Sequence, residues 1–160
     1  MAITVKPADP LSAEARELIA ALDAGLSGHY DDENNFPLLP EELVDDAIDF
    51  FMAETADGKK VGTIALRRYP DYAEIKRMFV TPKARGQGIA KALLNTAHEC
   101  ARQHGYSSVR LETGSLQDAA IGLYQAAGYV RRGPFGDYPP ESEQNIYFEY
   151  ALPIKEAAGS

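Results

Sequence analysis

The stretch KARGQGIAKALL, Lys83 to Leu94, sets two glycines and three basic residues where a helix begins. Glycine in a helix interior costs roughly 0.5–1 kcal/mol relative to alanine, so Gly86 and Gly88 serve something other than helix stability. A backbone bared of side chains ahead of a helix points several N–H groups outward, and the helix dipole gives that end about half a positive charge. Arg85 and Lys91 add full charges. The chemistry this permits is anion binding, and a phosphate suits it. The competing reading of the same spacing is a tight turn or close packing of helix on sheet. Neither the P-loop pattern nor the GxGxxG dinucleotide fingerprint is present.

The elements that must position this turn can be read around it. ITVKP near the start has the pattern of a short strand, and Ser12 to Leu26 carries apolar residues at helical spacing (Ala15, Leu18, Ile19, Leu22, Leu26). PEELVDD suits a short helix behind its proline. AIDFFMAET and KKVGTIALRRY, separated by ADG, predict an antiparallel hairpin, and YAEIKRMFVTP a third strand closed by Pro82. From Gln87 to His104 the stripe Ala90, Leu94, Ala97 and Ala101, with Leu93 and Cys100 alongside, makes the strongest helix in the chain, ended by Gly105. SSVRLET is another strand, LQDAAIGLYQAAG a short helix capped by Gly128, and NIYFEYAL a late strand reached through the connection YVRRGPFGDYPPESEQ. This order predicts an α+β fold, a mixed and mostly antiparallel sheet flanked by helices. Residues 1–154 are expected to form one domain, with 155–160 a frayed tail.

Bulk properties narrow the function classes. The 160-residue chain is 45% hydrophobic and 25% charged, the composition of a soluble globular protein. The opening MAITVKPADP lacks a signal-peptide core, and no apolar run approaches the ~20 residues of a membrane span, so the expectation is a cytoplasmic protein without membrane contact. A single cysteine, Cys100, excludes an internal disulfide framework, and the three histidines show no zinc-ligand spacing with each other, so no metal is expected. Cys100 falls on the apolar side of its helix as a packed thiol, His98 reads as a surface residue, and His104 as a partner of the helix C-terminus.

The net charge of −8 argues against nucleic-acid binding. It also hides two zones: twelve acidic residues and no lysine or arginine from Glu17 to Asp57, and five basic residues without an acid from Ile75 to His98. The basic zone coincides with the glycines. The acidic zone is either a solvated face or a field that favours a cationic partner.

VTPKARGQGIAKALL resembles the acyl-CoA-binding motif of the GNAT superfamily of N-acetyltransferases, in which Gln or Arg is followed by two residues, Gly, one residue, and Gly or Ala; Arg85, Gly88 and Ala90 match it. The resemblance continues through AEIKRMFV, RLETG, AIGLYQAAGYV and the final strand, covering roughly residues 48 to 152. It implies the GNAT-like acyl-CoA N-acyltransferase fold and acetyl-CoA as co-substrate. It implies, too, a pyrophosphate cradle made by the main chain of Arg85, Gly86, Gln87, Gly88, Ile89, Ala90 and Lys91. Met78, Phe79 and Val80 would pair with the pantetheine arm where their strand splays at a bulge. Gln117 stands where the family usually has an asparagine that touches the same arm. The acceptor implied is a small-molecule or peptide amine, and homodimers are common in such a family.

Acetyl transfer to an amine poses two proton problems. An alkylamine with a pKa near ~10.4 is the free base in fewer than about one molecule in a thousand at neutral pH, a handicap of roughly 4.6 kcal/mol. The departing thiolate leaves more readily when a proton is supplied to it. The resemblance casts Glu74 as general base and Tyr124 as general acid. The residues by themselves also allow Glu74 to be an ion-pair partner of Lys76, two positions along the strand, and Tyr124 to be a core aromatic on the stripe Ala120, Leu123, Tyr124, Ala127. His29 and Tyr30, between the first helices, and Phe135 and Tyr138, before the last strand, stand where the acceptor pocket would have its walls. A regulatory module that binds acyl-CoA without turnover, and a nucleotide-phosphate binder, are the competing readings.

Overall fold

Two adjacent segments, IDFFMAET and KVGTIALRR, carry near-continuous apolar runs rather than strict alternation, and strands of that kind need cover on both faces. The computed structural model, which describes residues 3–26, 39–114, 118–136, 138 and 145–153, provides it. The elements are β1 (Ile3–Pro7), α1 (Ala13–Leu26), a 3-10 turn at Pro40–Val44, β2 (Ile48–Thr55), β3 (Lys60–Arg68), β4 (Ala73–Val80), a second 3-10 turn at Pro82–Ala84, α2 (Ile89–Gln103), β5 (Ser108–Gly114), α3 (Asp118–Ala126), β6 (Val130–Arg132) and β7 (Asn145–Ala151). The strands form one seven-stranded sheet in the order β1-β2-β3-β4-β5-β7-β6. β4 and β5 are parallel, and every other neighbouring pair is antiparallel.

One face packs on α1 through Ala15, Leu18 and Ile19 against Phe50, Met52 and Phe79. The other packs on α2 and α3, with Ile64, Leu66, Leu93, Leu111 and Phe148 at its centre. Helix α2 buries Ile89, Leu93, Leu94, Ala97 and Ala101, whereas Ala90 is only half buried, so the stripe lies one residue earlier at its first turn than the sequence predicts. Gly62 of β3 lets this helix approach: a Cβ there would meet the Phe79 carbonyl oxygen at 2.8 Å and Leu93 Cδ1 at 3.0 Å.

The connection after α3 differs from expectation, because it contains β6. Three residues are too few to display alternation, and Val130 is 68% exposed, so β6 has no apolar signature; its pairing with β7 defines it.

The strand that matters most for function is β4. Its pairing with β3 runs Ala65 opposite Lys76 and then Thr63 opposite Phe79, so β4 holds one extra residue, a bulge at Arg77–Met78. Arg77 there has a φ of +50°. On its other side β4 pairs with β5 only at Ala73 and Glu74. Beyond Glu74 the two parallel strands part.

Candidate active site

The turn that follows β4 has the conformation its glycines suggest. Gly86 and Gly88 have φ of +82° and +80°, and a Cβ on either would meet nothing within 4 Å. The glycines therefore answer a left-handed backbone and leave open space beside it, not close packing. Gly88 is the N-cap of α2, and the first helical bond runs from Ala92 N–H to the Gly88 carbonyl, so the amides of Ile89, Ala90 and Lys91 have no partner inside the helix. Arg85 bends back, its Nε donating to the Val80 carbonyl at 3.1 Å, which ties the turn to the end of β4.

A cleft of about 410 Å³ runs from this turn along β4 to α3. Met78, Phe79 and Val80 line it, as do Arg85, Gly86, Gly88, Ile89, Ala90, Lys91 and Tyr124; of the expected cofactor residues, Gln87 lies outside it. Gln117, His29 and Tyr30 lie outside the described residues. Leu22 of α1 also lines the cleft, a position the sequence marks only as part of an apolar helix face.

Tyr124 is packed in the core, as its apolar stripe predicts, and it also lines the cleft. Its ring is buried, edge-on to Tyr129 at 5.7 Å, and its hydroxyl donates at 3.6 Å to the Sδ of Met78, which also lines the cleft. Burial pushes its phenol well above the ordinary range, and the Glu112 carboxylate adds to the effect. The group therefore remains a proton donor across the physiological range.

Glu74 sits at the fork where β4 and β5 separate, 1% exposed. The ion pair with Lys76 is present, Lys76 Nζ to Glu74 Oε2 at 3.2 Å. The Tyr138 hydroxyl donates to the same oxygen and accepts from Lys76 Nζ, which also lies over the Tyr138 ring, 4.8 Å from its centroid. Burial first, then the Glu74 charge, drive the Tyr138 phenol far above its usual range, so it is a fixed donor to Glu74. Phe135 is 5% exposed and packs edge-on against Tyr72, Tyr138 and Tyr147. Of the four residues expected in acceptor walls, two are among the described ones: Tyr138 holds Glu74, and Phe135 supports Tyr138 from behind.

Sequence reasoning missed Glu112. On β5 the buried residues Val109, Leu111 and Thr113 face one way, which sends Arg110 and Glu112 to the other. Glu112 Oε2 accepts from Asn145 Nδ2 at 2.8 Å. Burial raises its pKa above the ordinary carboxylate value, Asn145 and Lys76 oppose that rise, and the Glu74 charge adds to it. The charge at Glu112 acts on both Tyr124 and Tyr138, so the two sides of the fork share one electrostatic field. The only available signal was a carboxylate at an alternating position in a strand beside the fork.

The charge zones and histidines also need revision. Asp23, Glu41, Asp49 and Glu54 of the acidic zone are ion-paired with Arg77, Arg16, Arg68 and the two lysines Lys6 and Lys60. Four of that zone's twelve acidic residues are thus offset within the fold. His98 is half-buried rather than free on the surface: it stacks on Tyr150 at 4.5 Å and meets the Tyr129 hydroxyl at 2.6 Å, and burial lowers its pKa to about 4. Cys100 is packed as expected, and burial followed by the Asp49 carboxylate raises its thiol to about 12. It is no nucleophile, yet it and His104 come together with Asp49, a convergence that histidine spacing could not reveal.

Residues 15–129 match the acetyltransferase (GNAT) family, which spans the bulged strand, the glycine turn, α2 and α3. The chain belongs to the GNAT family and is an acetyltransferase. Among its relatives is an IAA acetyltransferase of Azospirillum brasilense, 39% identical over 141 residues that make up 87% of this chain and 92% of the relative. N-acetyltransferase 8 of Mus musculus is 42% identical over 90 residues, 52% of this chain and 39% of that protein. A Klebsiella pneumoniae protein assigned as an acyl-CoA N-acyltransferase superposes with a TM-score of 0.79 at 32% identity, covering 94% of this chain and 97% of its own. An N-acetyltransferase from Thermoplasma acidophilum in complex with coenzyme A shares the fold, with a TM-score of 0.70 at 21% identity over 94% of this chain and 99% of that one. Family membership favours turnover over a module that only binds acyl-CoA.

Proposed function

We propose that the chain transfers an acetyl group from acetyl-CoA to a primary amine, with both substrates bound together and no acyl-enzyme. The carrying observation is that Tyr124 and the glycine turn with its open amides line one cleft, at the two ends of the β4 segment that has parted from β5. The donor fits this cleft. The amides of Ile89, Ala90 and Lys91, with Arg85 and Lys91 beside them, suit a pyrophosphate, and Met78 to Val80 offer strand backbone to an amide-bearing arm. The thioester supplies an activated acyl carbon and a thiolate leaving group. Tyr124 donates a proton toward that sulfur, and the absence of an activated nucleophile among the described residues lining the cleft agrees with direct transfer.

Glu74 takes the amine proton in this reading, directly or through water. Tyr138 and Lys76 hold its carboxylate in place. One observation favours a second assignment for the base: burial raises the pKa of Glu112, and a base titrating closer to neutrality transfers protons more efficiently. The acceptor is a small or peptide amine. Nucleic acid and membrane surfaces are not partners in this reading, and the setting is cytoplasmic.

The test is a panel of amines scored by CoA release, with calorimetry of acetyl-CoA against ATP. Acetyl-CoA-dependent release with at least one amine is expected, as is a fall in kcat of about 10²–10⁴ in Tyr124→Phe. Tighter binding of ATP than of acetyl-CoA would overturn the donor assignment, and undiminished turnover in Tyr124→Phe would remove the proposed acid.

A further inference from the structure

At the far end of α2 from the glycine turn, Cys100 and His104 stand four residues apart and so share one face of the helix. Asp49 of β2 meets them there. The Cys100 thiol donates to Asp49 Oδ2 at 3.4 Å, His104 Nε2 lies 3.8 Å from the same oxygen, and the three ligand atoms all fall within 4.8 Å of one another. We propose that Asp49, Cys100 and His104 bind a thiophilic divalent cation of the Zn²⁺ type, separate from the acetyl-transfer site.

The geometry suits the ion. Around a tetrahedral zinc with bonds of ~2.0–2.3 Å, ligand atoms sit roughly 3.3–3.7 Å apart, and the two shorter separations here already match that within a few tenths of an ångström. Thiolate, imidazole and carboxylate together select zinc-like ions over magnesium or calcium, which prefer all-oxygen shells. Three protein ligands leave a fourth position for water, and the His104 side chain, 41% exposed, opens the site to solvent.

Among the described residues Arg68 is a cation facing the cluster: Nε donates to Asp49 Oδ2 at 3.0 Å, and its Nη2 is anchored on the Asp46 carbonyl. It fixes the carboxylate and offsets part of its charge. When the ion binds, the thiol S–H bond is replaced by S–metal and the proton leaves to solvent, with no change of oxidation state. The bound ion would staple β2 to the end of α2.

The test is titration of the full chain with Co²⁺, followed by Zn²⁺ competition. One Co²⁺ per chain, a thiolate-to-cobalt charge-transfer band and buffer-dependent proton release are expected. Cys100→Ser should abolish the band. Asp49→Asn and His104→Gln should weaken binding at least about tenfold, the loss that removing even an outer partner causes. Zn²⁺ should raise the Tm of the native chain and leave that of Cys100→Ser unchanged. Should Cys100→Ser fold poorly, His104→Gln, at an exposed residue, carries the comparison. Absence of the band, its persistence in Cys100→Ser, or affinity unaltered in His104→Gln would overturn the proposal.

Discussion

The Thr63 hydroxyl of β3 donates to the main-chain carbonyl of Arg77 in β4 at 2.7 Å, both groups buried, and so clasps the bulge at the residue where the backbone turns left-handed. Arg77 is held from its other end as well, its buried guanidinium meeting Asp23 Oδ1 of α1 at 2.5 Å. The opening of β4 is thus a fixed feature with named restraints. Thr63→Val keeps the shape and removes the donor, leaving a buried carbonyl short of a partner. We expect a loss of about 1–3 kcal/mol in thermal or denaturant unfolding, with weaker acetyl-CoA binding by calorimetry. Unchanged stability and affinity would mean that the bulge holds without this bond.

Two glycines separate packing from cofactor binding. Gly62→Ala drives a Cβ into the Phe79 carbonyl and Leu93, so Tm should fall by the equivalent of about 1–3 kcal/mol. Gly88→Ala has room for its Cβ but keeps a φ of +80°, which costs an L-residue roughly 1–2 kcal/mol at the turn itself. For that variant the KM for acetyl-CoA should rise more than Tm falls. Equal effects of both variants on KM would refute the division.

The base is assigned by the acidic limb of the kcat/KM profile. If Glu74 accepts the amine proton, Glu74→Gln loses that limb and about 10²–10⁴ in rate, while Glu112→Gln keeps it. If Glu112 is the base, the limb lies above the ordinary carboxylate range, in line with its raised pKa, and disappears in Glu112→Gln. A limb that survives both substitutions excludes both carboxylates.

His98 makes stability depend on pH. Its folded pKa, lowered from 6.5 to about 4 by burial, means that the unfolded chain binds a proton in this window that the folded chain refuses. The neutral ring's contribution is complete above pH 6.5 and is lost as pH falls toward 4. His98→Gln should flatten the stability profile across that interval, as measured by denaturant midpoints. A slope unchanged by the substitution would exclude His98 as its source.

The cofactor half of the site was legible because its requirements are local. A left-handed turn needs glycines, an anion needs nearby cations, and both needs fall within Lys83–Lys91. Glu74 and Lys76 could be paired on paper because two residues along a strand share a face. Glu112 could not be found in that way, since its partners come from β4 and β7 and its significance depends on two strands parting. Nor does chain order reveal that β7 slots between β5 and β6, which is what brings Asn145 to Glu112. Linear charge density likewise does not record that Lys6, Arg68 and Arg77 fold back onto the acidic zone.

The extra residue in β4 also resets which way its side chains point. Before it, Ile75 faces the core beneath α2; after it, Met78 and Val80 do, while Phe79 turns to α1. Even-numbered residues therefore serve opposite faces on either side of Arg77, Glu74 and Lys76 with Tyr138, Met78 with Tyr124. One continuous strand can in this way present its chemistry to both surfaces of a sheet that would otherwise keep them apart. Deleting a single residue at the bulge would leave Glu74 and Met78 three positions apart and still on opposite faces, but it would remove the extra residue that bends β4 and breaks its ladder with β3.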